Sequence, residues 1–287
     1  GILEEVVPQQ FISKIIPKNP VVGVAIGAVL GLLFPMCECG IVPVMRRLLR
    51  KGLPLGTCVA YMLAGPIINL VVISSTFVAF QGHGIGYEMV LLRVGLAFIV
   101  ATFTAFIVQR QYLQYGNKLL TPLASPEQGL KTININMNDE QDPLHPAAAR
   151  AGEKKPFFQR IANISETALH DFVDIMVFLT LGACIAAFAR SAFTPEQVQN
   201  QHPILTIPIM MFSAIIMCLC SEADAFVAAS MKTLHPAAKI AFLVLGPMFD
   251  LKLLLMFTRV FRRRVIITIF IAVFTQVFLY SLAVYFI

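Results

Sequence analysis

Two Cys-x-Cys segments in an otherwise apolar chain are the residues best suited to chemistry. The first is CEC at 37–39; the second is CLC at 218–220, followed by Glu222 and Asp224. Thiolate is a soft donor that suits Zn²⁺, Cu⁺ and other thiophilic ions. Small buried cysteines can instead be packing residues, which is the alternative for each pair. The adjoining carboxylates favour a ligand site, and the predicted metal ligands are Cys37, Cys39, Cys218 and Cys220.

A shift of 181 residues aligns the two segments as parts of an internal repeat. Residues 37–70 fall on residues 218–251 without a gap, with eight identities in 34 positions. The identities include all four cysteines and two Gly-Pro pairs, and Asn69 falls on Asp250. Internal repeats are typical of secondary transporters. The alignment also predicts a helix before Gly1, as the partner of an apolar span at 164–190.

The composition predicts an all-α polytopic membrane protein. Of 287 residues, 57% are hydrophobic and 13% charged, against about 25% charged in soluble domains. The net charge of +6 comes mainly from basic clusters beside apolar spans. Such clusters indicate which side of the membrane a loop lies on, and we predict no nucleic-acid partner. Spans long enough to cross a bilayer are predicted at 58–80, 88–110, 164–190, 237–257 and 264–287, with shorter apolar arms at 20–36 and 203–219.

A polar, proline-containing and aperiodic stretch divides the chain. Such a stretch is typical of a linker. We therefore predict a first transmembrane repeat at 1–113, a cytoplasmic linker at 114–158 and a second transmembrane repeat at 159–287.

Basic clusters predict the orientation of the spans, because Lys and Arg concentrate in cytoplasmic loops. They lie at 46–51, near 110, at 150–155 and at 259–264. If all four are cytoplasmic, the segment 203–232 must leave and re-enter on one face. The first repeat then also contains a re-entrant hairpin with its Cys-x-Cys at the tip, and the repeats are inverted. The alternative is two full crossings and parallel repeats.

The Gly-Pro pairs predict broken helices at membrane depth. Proline removes a backbone donor, and the freed groups are available to a substrate in a cavity. A plain kink is one alternative, and simple neutralisation of Asp250 by Lys252 is another. The substrate-binding residues predicted from these patterns are Cys37, Glu38, Cys39, Gly65, Pro66, Asn69, Cys220, Glu222, Asp224, Gly246, Pro247 and Asp250.

Further ionisable residues inside apolar spans predict a proton path or ion partners. Glu166, His170 and Asp174 are spaced four apart, so they share one helix face. A solvated helix start is the alternative for these three. Arg93 is predicted to be the counter-ion of one of the acids.

Three motifs resemble the ArsP/YraQ type of predicted permease. They are C-x-C-G-x-x-P-V at Cys37 to Val44, C-S-x-A-D-A-F-V-A-A-S at Cys220 to Ser230, and GPMFDLKLLLM at Gly246 to Met256. Members of known activity export trivalent organoarsenicals, so the resemblance implies export driven by an ion gradient. It implies functional roles for Cys37, Cys39, Pro43, Cys220, Asp224, Gly246, Pro247 and Asp250.

The resulting hypothesis is a permease of the bacterial inner membrane. It would carry a thiophilic metal or metalloid by alternating access between the repeats, without a cofactor. The chain has no G-x-x-x-x-G-K-[ST] motif for ATP hydrolysis, and no enzyme activity is predicted. One alternative is a subunit that transports nothing alone, since the CECGIVPV branch often occurs beside a second small membrane subunit. The other is a membrane protein that cycles its thiols.

Overall fold

The computed structural model describes residues 20–33, 36–50, 53–121, 124, 203–231 and 234–286, and seven isolated positions between 169 and 184. This part of the chain is helical, apart from one isolated antiparallel bridge between Leu120 and Phe261. The first group of helices comprises α1 (Pro20–Leu33), α2 (Glu38–Arg50), α3 (Leu55–Ala64), α4 (Leu70–Gln81) and α5 (Gly86–Tyr115). The second comprises α6 (Pro203–Met217), α7 (Ser221–Ser230), α8 (Pro236–Met248), α9 (Leu251–Val260) and α10 (Arg263–Phe286).

Within the described residues, three stretches are long and apolar enough to cross a membrane: Gly86–Tyr115, Pro236–Val260 and Arg263–Phe286. They coincide with the spans predicted at 88–110, 237–257 and 264–287. Helices α5 and α10 each expose apolar side chains on one face, such as Leu91 and Ile271. That face suits contact with lipid, so the all-α membrane architecture predicted from composition is confirmed in this coarse form.

The predicted span at 58–80 is two short helices. Helix α3 ends at Ala64 and α4 begins at Leu70, with Gly65-Pro66 in the break. In the second half α8 ends at Met248, one residue after Pro247, and α9 begins at Leu251. Proline and its neighbours account for both breaks, because proline cannot donate the helical hydrogen bond.

Helices α3 and α8 form the centre of the bundle. Every residue of α3 is buried, and so is nearly all of α8, as expected for helices that are apolar all round. Helices α1 and α5 pack on α3, while α6 and α10 pack on α8. Helix α2 reaches across to α9, and α7 reaches across to α4. The two halves are therefore joined in part through the helices that follow the Cys-x-Cys segments, and also through α5, which packs on α8 and α10.

The start of the predicted linker is packed against the protein. After α5 comes one 3₁₀ turn (Gly116–Leu119), and Leu119 and Leu120 are only 3% and 2% exposed. The backbone N–H of Thr121 donates to the Val260 carbonyl at 3.1 Å. Leu119, Leu120 and this hydrogen bond anchor the chain at the α9–α10 junction. Most of the remaining predicted linker lies outside the described residues.

Small residues allow α1 to lie directly on α3, as is common between membrane helices. A Cβ atom on Gly27 would lie 2.5 Å from the carbonyl oxygen of Thr57. One on Gly31 would lie 2.5 Å from the Cα atom of Gly65. Helix α1 is thus held against the first Gly-Pro break.

Gly31→Ala is expected to destabilise the protein. The added methyl would meet backbone that cannot move without separating α1 from α3, and overpacking of this kind costs about 1–3 kcal/mol. Gly95→Ala is the matched control, because no atom lies within 4 Å of its added Cβ. The measurement is the melting temperature of purified protein in detergent. Equal melting temperatures for the two variants would contradict the close contact.

Candidate functional site

The first Cys-x-Cys segment forms the start of α2. The Cys37 carbonyl accepts hydrogen bonds from the N–H groups of Gly40 at 3.1 Å and Ile41 at 3.2 Å. Cys37 is exposed, whereas Cys39 is buried in the first turn. Pro43 lies inside the same helix and lacks the N–H that would pair with the Cys39 carbonyl.

The second segment joins α6 to α7. Cys218 has a φ of 47°, a left-handed conformation uncommon for residues other than glycine, and its thiol donates to the Ile215 carbonyl at 3.4 Å. Cys220 is exposed at the N-cap position of α7, and its thiol donates to the Glu222 carboxylate. All six cysteines of the chain, including Cys58 and Cys184, are free thiols.

A buried lysine links the first segment to the second Gly-Pro motif. The Nζ atom of Lys252 lies 2.8 Å from Oε1 of Glu38 and 3.4 Å from Oδ2 of Asp250. The three side chains are 8%, 2% and 1% exposed. Buried charges need such partners, because the loss of hydration is large. This ion triad joins residues that are 214 positions apart.

Both Cys-x-Cys segments lie around this triad. The charges of Lys252 and Asp250 act on the thiols of Cys39 and Cys218, and the charge of Glu38 acts on Cys220. Cys39, Cys218 and Cys220 therefore lie near the acidic residues, in part across the two halves.

Asp224 is a second buried acid, and it lies against Gly246 of the second Gly-Pro pair. Asp224 is only 2% exposed. A Cβ atom on Gly246 would lie 3.0 Å from the Oδ2 atom of Asp224. Arg93 donates to the Thr76 hydroxyl at 2.6 Å and to the Ser221 carbonyl at 2.9 Å. The role of Arg93 as the counter-ion of one of the acids stays a prediction.

The helices that follow the two breaks begin with equivalent N-caps. Oδ1 of Asn69 accepts from the Val72 N–H at 2.8 Å at the start of α4, while Oδ1 of Asp250 accepts from the Leu253 N–H at 2.6 Å at the start of α9. The Asn69 amide also donates to the carbonyls of Gly65 and Pro66, each at 3.2 Å. Side-chain caps satisfy the free N–H groups of a helix start. Asn69 and Asp250 therefore stabilise the helix starts that follow the two breaks.

Several buried polar atoms of the site have no hydrogen-bond partner, among them the donors Arg93 Nε and Ser221 Oγ. Glu38 Oε2, Asp224 Oδ2 and Asp250 Oδ2 accept no hydrogen bond. Three buried carboxylates face two buried cations, Lys252 and Arg93. The arrangement can therefore accept a cation or a group rich in hydrogen-bond donors.

The cysteines do not form a ready metal centre in this conformation. Among the described residues, no group of three or more His, Cys, Asp or Glu side chains lies close enough to hold a metal ion. The metal-binding role of Cys37, Cys39, Cys218 and Cys220 stays a prediction. The predicted proton path of Glu166, His170 and Asp174 lies outside the described residues.

Sequence reasoning missed the partner that completes the site. It paired Lys252 with Asp250 alone and gave no signal of the shorter contact to Glu38. Two further contacts, from Arg93 to Thr76 and to the Ser221 carbonyl, were also missed. A lysine inside an apolar span is itself the available signal, because such a charge needs buried partners.

Lys252→Met is expected to destabilise the protein by about 3–5 kcal/mol, since it leaves Glu38 and Asp250 buried without their cation. Lys239→Met is the matched control: Lys239 is 3% exposed, but it lies over the Phe80 ring, a contact worth only about 1–2 kcal/mol. Unfolding in mixed micelles measures both, and adding Glu38→Gln to Lys252→Met should recover part of the loss. Equal losses from the two lysine variants would argue against the triad.

Comparison with known proteins agrees with a membrane transport role. A family described as "Predicted permease" (ArsP_1) matches residues 1–286. The UPF0718 protein YcgR of Bacillus subtilis (strain 168) is 35% identical over 267 residues, which cover 92% of this chain and 82% of that protein. No solved structure matches the chain at a significant level.

A second relative comes from Streptococcus mutans serotype c and is named "Putative two-component membrane permease complex subunit". It is 30% identical over 275 residues, covering 93% of this chain and 81% of that protein. With the apolar helices, the broken spans and the family match over nearly its whole length, this chain belongs to the ArsP_1 predicted-permease family.

Proposed function

We propose that this chain is a multi-pass permease of the bacterial inner membrane that carries a thiophilic metal or metalloid species by alternating access. The observation that carries the proposal is the Lys252 triad. Through Lys252, this triad links Glu38 of the first Cys-x-Cys segment to Asp250 of the second Gly-Pro motif. A substrate that binds between these motifs would contact both halves of the protein at once.

The chemistry of the site favours a soft cationic species over an oxyanion. The exposed thiols of Cys37 and Cys220 belong to the same two segments as the buried carboxylates of Glu38 and Asp224. A thiol loses its proton when it binds a soft ion, and Glu222 already accepts the Cys220 hydrogen. The remaining carboxylate oxygens would compensate the charge of the bound species.

We further propose that the two halves are inverted repeats with re-entrant Cys-x-Cys hairpins. Corresponding helices pack in the same way: α1 on α3 as α6 on α8, and α5 on α3 as α10 on α8. The exchanged pairs α2 with α9 and α7 with α4 are likewise equivalent. Such a pseudo-symmetric arrangement suits alternating access, in which one half rocks against the other around a central site.

The family relative named as a two-component permease subunit favours one refinement. We propose that a second membrane subunit assembles with this chain, and that transport requires both. Binding of substrate would still occur at the site described above, because its residues come from this chain alone.

The purified chain is expected to bind one species among Zn²⁺, Cu⁺, arsenite and methylated arsenite. Replacing Cys37, Cys39 and Cys220 by serine should abolish that binding, because it removes the soft donors. Cys58→Ala with Cys184→Ser is the control that removes two thiols elsewhere. Isothermal titration measures the affinities. Unchanged binding in the triple variant would contradict a thiol site. It would favour a hard metal ion or an organic compound as the substrate.

The topology has its own test, in a chain whose six cysteines are replaced. If the repeats are inverted, cysteine at His83 should react with a membrane-impermeant maleimide in intact cells. Cysteine at Arg262 should react only after permeabilisation. Both side chains are exposed, so access is not limited by burial. Labelling of both positions from outside would favour parallel repeats.

A further inference from the structure

A basic cavity of about 740 Å³ lies where the end of α5 meets the junction of α9 and α10. Its floor is apolar and includes Leu119, Phe261 and Ile266, all buried. Its rim is formed by Arg262, Arg263 and Arg264 with two threonine hydroxyls and Tyr115. None of the described residues that line it is acidic.

The arginines stand at the unfavourable end of a helix. Helix α10 begins at Arg263 and runs for 24 residues, and the N-terminus of a helix carries a partial positive charge. By contrast, Arg47 and Arg50 of α2 and Arg259 of α9 lie in the last turns of their helices, where the dipole favours cations. Between 203 and 286, the described residues contain no acid paired with Arg262, Arg263 or Arg264.

The helix start also leaves backbone donors available. Arg262 occupies the position before α10, and its side chain has no acceptor that could cap the helix. Its carbonyl accepts from the N–H of Val265 at 3.0 Å. Backbone N–H groups at a helix start, next to arginines, are the elements that bind phosphate.

The surroundings of the cavity suit an amphiphile. Helix α10 is long and apolar enough to cross the membrane, so its first turn lies at a membrane boundary. Ile267 and Ile271 follow the arginines one turn apart and are 55% and 56% exposed. They form an apolar track leading away from the rim. The Arg264 guanidinium lies 5.8 Å from the centroid of the Tyr115 ring, which fixes one side of the rim.

We propose that this cavity binds a phosphate group, and that the phosphate is the headgroup of an anionic phospholipid. The three arginines and the first turn of α10 would hold the phosphate. The acyl chains would lie along Ile267 and Ile271. The lipid would fix the α9–α10 junction to the 3₁₀ turn after α5. This site is separate from the ion triad and does not depend on the transported substrate.

The test is lipid binding by the full chain, measured by native mass spectrometry with phosphatidylglycerol against phosphatidylcholine. Wild type should retain phosphatidylglycerol preferentially, and Arg263→Gln with Arg264→Gln should weaken that binding by about 30-fold, given the contribution of each basic residue near a membrane surface. Arg46→Gln with Arg50→Gln removes the same charge from α2 and should leave it unchanged.

The source of the phosphate is distinguished in the same experiment. Inorganic phosphate at millimolar concentration should neither bind comparably nor displace phosphatidylglycerol. Displacement by inorganic phosphate would overturn the lipid assignment and indicate a site for a soluble anion. No preference of wild type for phosphatidylglycerol, or equal loss in the two double variants, would overturn the site altogether.

Discussion

The burial of Lys252 between Glu38 and Asp250 is the constraint on which the rest of the site depends. An ammonium group removed from water requires carboxylates at short range, and here they come from α2 and from the start of α9. The Cys-x-Cys helix of one half is thereby held at the broken helix of the other. The cap at the start of α9 is part of this contact, because Asp250 supplies it.

The broken helices give this contact its place inside the bundle. Because α4 and α9 begin within the protein, their first N–H groups need acceptors, which Asn69 and Asp250 supply. Asp250 therefore serves two roles, as cap through Oδ1 and as ion partner through Oδ2. A helix that continued through the Gly-Pro pair would have neither the cap nor the buried charge.

The two basic regions of the protein have different consequences. Lys252 and Arg93 lie deep in the structure and are matched by acids and by backbone or hydroxyl acceptors. The arginines at the start of α10 lie at the rim of a cavity whose described lining residues include no acid. The first arrangement organises the interior, and the second leaves positive charge for a ligand from outside the chain.

The sequence by itself determined the helical membrane class, the helix breaks at Gly65-Pro66 and just after Gly246-Pro247, and the residue types that could do chemistry. These follow from local properties, namely apolar length, the missing proline donor and the softness of sulfur. The tertiary structure alone decided that Lys252 reaches Glu38 and that Arg93 reaches Ser221. It also decided that the described His, Cys, Asp and Glu residues form no cluster of three or more that could hold a metal ion. Such contacts depend on how α2, α7 and α9 cross between the halves. No spacing along the chain encodes a distance between residues that are 214 positions apart.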